Sequence, residues 1–293
     1  MKNIEVHIVS AFEHQNNGGN PAGIVFDADS LTPKQRLEIA SQVGLSETAF
    51  VSRSVEADYK LDFFTPTRQI AHCGHATIAT FTYLKQQGKI AGDRSSKETV
   101  DGVRQIYFEG TSAFMEQTAP KFISISKEDR ESVLSALGII EQDLLSDFEI
   151  EVVNTGNSFL IVPVKNERVL EVIVPQHELI ERLSERYGLI GFYVYSPSGD
   201  VQTHATSRMF APFYGIKEEA ATGMAAGPLV AYLYHYGAVT SEEIVISQGK
   251  YMNPPSPSLI KVRLKTNKRG IEKLYAGGGG YLSGVKSITV GQS

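Results

Sequence analysis

Apolar and polar residues near the start alternate with a period of two: Ile4, Val6 and Ile8 are apolar, Glu5 and His7 polar. That pattern predicts a strand with one buried face. After a polar loop from Phe12 to Gly19, the run Gly19-Asn20-Pro21-Ala22-Gly23 leads into a short apolar strand, Ile24 to Phe26. The glycines there allow either a plain turn or main chain lying close to another group. The pattern then changes to a helical one. Thr32 and Pro33 supply a capping hydroxyl and a proline suited to the first helical position, Leu37, Ile39, Ala40 and Val43 form an apolar stripe, and Gly44 ends it. Strands are predicted at 49–51 and 60–64, then at 103–109, 113–117 and 122–125, with a charged amphipathic helix over 127–137.

The pattern then recurs. Phe64-Thr65-Pro66 runs into Cys73-Gly74-His75-Ala76, and Phe210-Ala211-Pro212 runs into Thr222-Gly223-Met224-Ala225. After the shared glycine the frame holds, Tyr83-Leu84 matching Tyr232-Leu233 and Gly88 matching Gly237. Each copy reads as a strand end, a loop, and a helix with small first-turn residues that stops at glycine. Gly156-Asn157-Ser158 echoes Gly19-Asn20-Pro21, and Gly188-Leu189 echoes Gly44-Leu45. Three landmarks in one order predict two copies of one mixed α+β fold. Where the first copy has Glu47 the second has Gly191, so the chemistry is expected to be asymmetric. Further strands are expected at 259–264, 271–276 and 285–290, with Gly277 to Gly280 as a flexible loop.

A chain of 293 residues fits two domains of about 150 residues each. A net charge of -5 argues against a nucleic-acid or anionic-membrane partner, which leaves a small molecule. The lone cysteine excludes an internal disulfide and any multi-cysteine metal site. The N-terminus shows no signal-peptide core and no apolar run would span a bilayer, so a cytoplasmic address is the expectation.

The two helix starts expose backbone amides and a partial positive charge, which suits a substrate carboxylate. Candidate acid-base groups near the first are Glu47, Cys73 and His75; near the second they are Arg208, Glu218, Glu219 and Thr222. A glutamate pinned between a helix stop and a buried strand can carry a proton, with a histidine as partner. Each has a plainer alternative: Glu47 as a cap or solvated acid, His75 as a cap, Cys73 as packing, Glu218 and Glu219 as first-turn acids.

At these residues the chain resembles the phenazine-biosynthesis PhzF-like family, which has the fold of diaminopimelate epimerase. The resemblance rests on Gly19-Asn20-Pro21-Ala22-Gly23, Ser46-Glu47-Thr48-Ala49-Phe50-Val51, Phe64-Thr65-Pro66, Cys73-Gly74-His75-Ala76-Thr77, Asn154-Thr155-Gly156, Phe210-Ala211-Pro212, Ala221-Thr222-Gly223, and Gln248-Gly249 with Met252. It implies two similar domains, each a mixed sheet wrapped around a central helix, with the active site in a cleft between them. It also implies that the last strands return to the first domain, so the domains are expected at 1–125 plus about 275–293, and at 126–274. No metal and no organic cofactor is implied.

By that resemblance Glu47 is the proton carrier and His75 assists, with Glu219 as a further catalytic acid. Asn20, Gly74, Thr222, Gly223 and Met224 are the expected substrate-binding positions. Glu219 stands where the family usually has aspartate and Met224 where it has serine, and these two departures weaken the match to the phenazine substrate. The expected function is a cofactor-independent isomerase acting on a small carboxylated metabolite. An epimerase or dehydratase using Cys73, and a non-catalytic metabolite-binding protein, are the alternatives; a symmetric two-cysteine racemase is disfavoured because Thr222 stands opposite Cys73. The resemblance and the aromatic Tyr234 and Tyr236 permit a homodimer.

Overall fold

The computed structural model describes residues 2–268 and 270–291. In chain order the elements begin with β1 (Lys2–Ala11), β2 (Asn20–Val25), α1 (Pro33–Val43), β3 (Thr48–Ser52), β4 (Tyr59–Phe64), β5 (Gln69–Ile70) and α2 (Gly74–Gln86). Next come β6 (Arg94–Thr99), β7 (Gly102–Glu109), β8 (Ser112–Gln117), β9 (Lys121–Ser124), α3 (Lys127–Leu137), β10 (Glu151–Asn154) and β11 (Ser158–Pro163). The chain continues with α4 (Glu167–Val172), α5 (His177–Tyr187), β12 (Gly191–Pro197), β13 (Ala205–Ala211), β14 (Ile216–Glu219) and α6 (Gly223–His235). It ends with β15 (Glu243–Gln248), β16 (Ser258–Asn267), β17 (Gly270–Gly278) and β18 (Gly280–Val290). This is an α+β chain of mixed sheets, and no helix among the described residues is long and apolar enough to cross a membrane.

Two compact units form, Met1–Met115 with Gly277–Ser293, and Glu116–Ala276. The first crossing falls ten residues before the expected 125, because β9 pairs antiparallel with β10 and so belongs to the second unit. In the first unit β18 pairs with β1 along its whole length, from Lys2 opposite Val290 to Ala11 opposite Gly280.

The repeat holds strand by strand. The pairs β1–β2, β3–β4 and β6–β7 are antiparallel and β2–β3 and β4–β6 parallel. In the second unit β10–β11, β12–β13 and β15–β16 are antiparallel and β11–β12 and β13–β15 parallel. Helix α1 starts as its cap chemistry requires: Gln35 N–H donates to Thr32 Oγ1 at 3.3 Å, Thr32 N–H donates to Gln35 Oε1 at 3.1 Å, and Gly44 (φ 71°) closes the end. One buried cluster joins Ile39, Ala40 and Val43 of α1 to Val6, Val25, Phe50 and Phe64, and another in the second unit joins α3, α4 and α5 to Leu160, Val162 and Phe192. The central helices are buried on all sides, with every residue from Gly74 to Leu84 of α2 and from Ala225 to Leu233 of α6 out of solvent. Apolar composition around the whole circumference makes that possible. Two of the buried threonines of α2 are satisfied locally, Thr77 Oγ1 donating to Cys73 O at 2.6 Å and Thr80 Oγ1 to Ala76 O at 2.7 Å.

Register also explains the missing partner of Glu47. Thr48 sits opposite Phe64, and Phe192 sits opposite Phe210, so the residues one step earlier, Glu47 and Gly191, are equivalent. A Cβ at Gly191 would lie 2.3 Å from the backbone oxygen of Phe210. No side chain fits there. Gly191→Ala is expected to destabilise the protein by about 1–3 kcal/mol through this overpacking, measured by urea denaturation. An unchanged midpoint would show that the backbone can move aside.

The glycine run is a correction. The expected flexible loop is strand instead, Gly277 and Gly278 ending β17 and Gly280 opening β18. A Cβ on Gly277 would be 2.1 Å from Ala113 O and 2.7 Å from Phe114 Cα, so glycine serves a close approach of two backbones.

Candidate active site

In the first unit the sequence-predicted acid-base groups come together. Glu47 lies between the glycine stop of α1 and the start of β3, and its backbone oxygen accepts from Gly23 N–H at 3.0 Å, which ties it to β2. Its side chain is 12% exposed, and Oε2 lies 3.3 Å from His75 Nε2. Both atoms are screened from solvent, and they face each other at ion-pair distance without the alignment of a hydrogen bond. The other edge of the same ring meets Cys73, Sγ being 3.6 Å from Nδ1. Cys73 is the N-cap of α2, in extended conformation (φ -142°, ψ 123°), and is buried. The first backbone bond returning to it is Thr77 N–H to Cys73 O at 3.3 Å, and Gly74, His75 and Ala76 make up the first turn.

The carboxylate, imidazole and thiol therefore form a compact cluster, with His75 in contact with both Glu47 and Cys73. Their donor atoms all lie within 4.8 Å of one another. Asn20, buried at the start of β2, lies at the same end of the parallel β2–β3 pair as Glu47.

In the second unit the predicted residues gather at the start of α6. Thr222 is its N-cap. Its hydroxyl donates to Glu219 Oε2 at 2.6 Å, and its backbone N–H donates to Gln248 Oε1 at 3.2 Å. Gln248 is fully buried and donates through Nε2 to Glu219 O at 2.8 Å and Thr222 Oγ1 at 3.1 Å, while Tyr193 donates to its Oε1 at 2.9 Å. Burial raises the pKa of Tyr193, which keeps this donor protonated. Gln117 donates to Gly223 O at 2.9 Å and accepts from Thr155 Oγ1 at 2.7 Å. Asn157 Nδ2 approaches Met224 Sδ at 3.5 Å.

Arg208 and Glu218, also candidates from the sequence, are committed elsewhere. Arg208 Nε and Nη2 donate to the two Glu218 oxygens at 2.8 and 2.9 Å, and Nη1 donates to Leu170 O at 3.0 Å and Ile173 O at 2.9 Å. The guanidinium thus caps the carbonyl end of α4. Gln117 and Gln248 as brackets of α6, and the buried Lys97 below α2, were not assigned these roles from the sequence. Lys97 occupies an inward position of β6, a strand with so few apolar residues that its alternation is hard to see.

The family profile described as Phenazine biosynthesis-like protein, PhzC-PhzF, matches residues 9–282. An uncharacterized isomerase of Clostridium acetobutylicum is 33% identical over 246 residues, 80% of this chain and 81% of the relative. The trans-2,3-dihydro-3-hydroxyanthranilate isomerase of Pseudomonas chlororaphis is 29% identical over 290 residues, 97% of this chain and 98% of that one. A crystal structure of a Bacillus anthracis phenazine biosynthesis protein of the PhzF family superposes with a TM-score of 0.88 at 30% identity, over 99% of this chain and 100% of that one. A matching profile over nearly the whole length and the same fold place the chain in the phenazine biosynthesis-like PhzC-PhzF family, whose curated relatives are isomerases.

Proposed function

We propose that the protein is a cofactor-independent isomerase that moves a proton on a small carboxylated metabolite, with Glu47 as the proton carrier. The observation that carries this reading is the buried Glu47–His75 contact of 3.3 Å at the first turn of α2. A carboxylate there can take a proton from a carbon next to a carboxyl group or double bond and return it at another carbon. His75, with Nε2 3.3 Å away, positions the carboxylate. The amides of the α2 first turn favour a negatively charged substrate group without a lysine.

The start of α6 is assigned to substrate binding. Thr222 and Glu219 form a rigid polar pair there, held by Gln248. Met224 places a thioether where the family usually has a hydroxyl, which favours a less polar substrate at that point than the hydroxyanthranilate of the Pseudomonas relative. A second reading is favoured by the 3.6 Å contact between Cys73 Sγ and His75 Nδ1: the thiol, in place of Glu47, removes the proton in an epimerase-like reaction.

The test is deuterium incorporation. In D₂O a panel of small carboxylates, including trans-2,3-dihydro-3-hydroxyanthranilate, is incubated with the protein and followed by mass spectrometry. The expected result is uptake of solvent deuterium into at least one member together with isomerisation. A member that binds tightly while none exchanges would instead mark a metabolite-binding protein.

A further inference from the structure

Glu47, His75 and Cys73 bring three kinds of donor atom to one place: a carboxylate oxygen, an imidazole nitrogen and a sulfur, each within 4.8 Å of the other two. Glu47 Oε2 is 3.3 Å from His75 Nε2, and Cys73 Sγ is 3.6 Å from His75 Nδ1. All three stand on ordered backbone. Cys73 caps α2, His75 lies in its first turn, and Glu47 enters β3 with its backbone oxygen bonded to Gly23 N–H at 3.0 Å. His75 and Cys73 are buried, and Glu47 Oε2 is screened from solvent without a hydrogen bond. An anionic oxygen held in that way gains from a nearby cation.

Ligand chemistry narrows the choice of cation. Sulfur and nitrogen beside one carboxylate suit zinc and other borderline-soft divalent ions, whereas Mg²⁺ and Ca²⁺ take oxygen donors. Zinc holds sulfur at about 2.3 Å and nitrogen or oxygen at about 2.0–2.2 Å, so its tetrahedral donors stand about 3.3–3.6 Å apart. The two contacts of His75 have that spacing. An ion takes one ring nitrogen only, so the partner of the other nitrogen swings towards it about its own side-chain bonds. With no separation above 4.8 Å, that movement is about 1 Å. A carboxylate and a thiolate together carry two negative charges, which a divalent ion cancels, so the filled site is neutral in the interior.

We propose that Glu47, His75 and Cys73 form an inhibitory binding site for a thiophilic divalent cation of the zinc type. On binding, the thiol gives its proton to solvent and a metal–sulfur bond forms, the Glu47 carboxylate and one ring nitrogen each supply a lone pair, and water completes the shell. The ion occupies the acceptor atoms of Glu47 and Cys73 alike, so proton transfer stops whichever of the two carries the proton. The inhibition rests on the isomerase reading; the binding of the ion does not.

Cobalt(II) accepts the same donors as zinc and shows a near-ultraviolet sulfur-to-cobalt charge-transfer band when a cysteine ligates it. The chain has one cysteine, so that band reports Cys73 alone. In a titration of the wild type the band is expected to saturate at one ion per chain, to be displaced by zinc, and to be abolished by Cys73→Ser. Loss of an outer-shell partner alone weakens a metal by about 10–100-fold, so Glu47→Gln, which removes a ligand and its charge, is expected to weaken cobalt by about tenfold or more. No band at saturating cobalt, or an affinity unchanged in Glu47→Gln, overturns the site. In the D₂O assay, saturating zinc is expected to lower deuterium uptake by about tenfold or more, and a chelator to restore it, because a general acid or base is lost. Uptake unchanged by saturating zinc overturns the inhibition. Absence of uptake before zinc is added counts against the isomerase reading alone, and the cobalt titration then decides the site.

Discussion

Glu47→Gln is expected to lower kcat by about 10²–10⁴-fold, the range associated with loss of a positioned general acid or base. Glutamine has the shape of glutamate and cannot carry the proton. The backbone bond from Gly23 N–H to Glu47 O is untouched, so the β2–β3 junction should fold as before. Deuterium exchange into the substrate is expected to fall in parallel with turnover, because both need the same proton transfer. Undiminished turnover by a folded Glu47→Gln protein would remove Glu47 from the chemistry and leave Cys73 as the base.

Glu218→Gln is expected to destabilise the protein by about 3–5 kcal/mol, because it leaves a buried guanidinium without its counter-ion. The Arg208 and Glu218 side chains are only 7% and 16% exposed and bond through two parallel contacts, so water cannot readily replace the lost charge. Its neighbour behaves differently. Glu219 faces the Thr222 hydroxyl at the start of α6, and Glu219→Gln keeps an acceptor there, so it should fold near normally and be impaired in turnover. Urea denaturation and kinetics on the two variants check the contrast, which reverses if Glu218 is the site residue and Glu219 the structural one.

These adjacent glutamates show where the sequence stops being informative. Glu218 and Glu219 have the same chemistry one position apart, and alternation along β14 sends them to different surroundings. Nothing local says which face meets Arg208, since that is set by the pairing of β14 with β13. The fold was more accessible. Thr32-Pro33 and Gly44 mark α1 because capping is a local interaction, and the doubled Phe-x-Pro to Gly stretch marks α2 and α6 because both helices need small first-turn residues. The run of Gly277 to Gly280 misleads for the opposite reason: composition predicts flexibility, whereas the close approach of Ala113 and Phe114 requires glycine in an ordered strand.

The amino-acid sequence by itself determined the two-fold repeat, the limits of α1 and α3, the family, and the gathering of Glu47, Cys73 and His75 near one helix start. Those features depend on periodicity, caps and motifs, which act over a few residues. Only the tertiary structure decided that His75 touches both Glu47 and Cys73, that Gly191 has no room to copy Glu47, and that Lys97 lies buried beneath the cap of α2. Each of these turns on strand register or on a contact between elements far apart in the chain. The energy of such a contact depends on burial and direction, which residue identity alone does not specify.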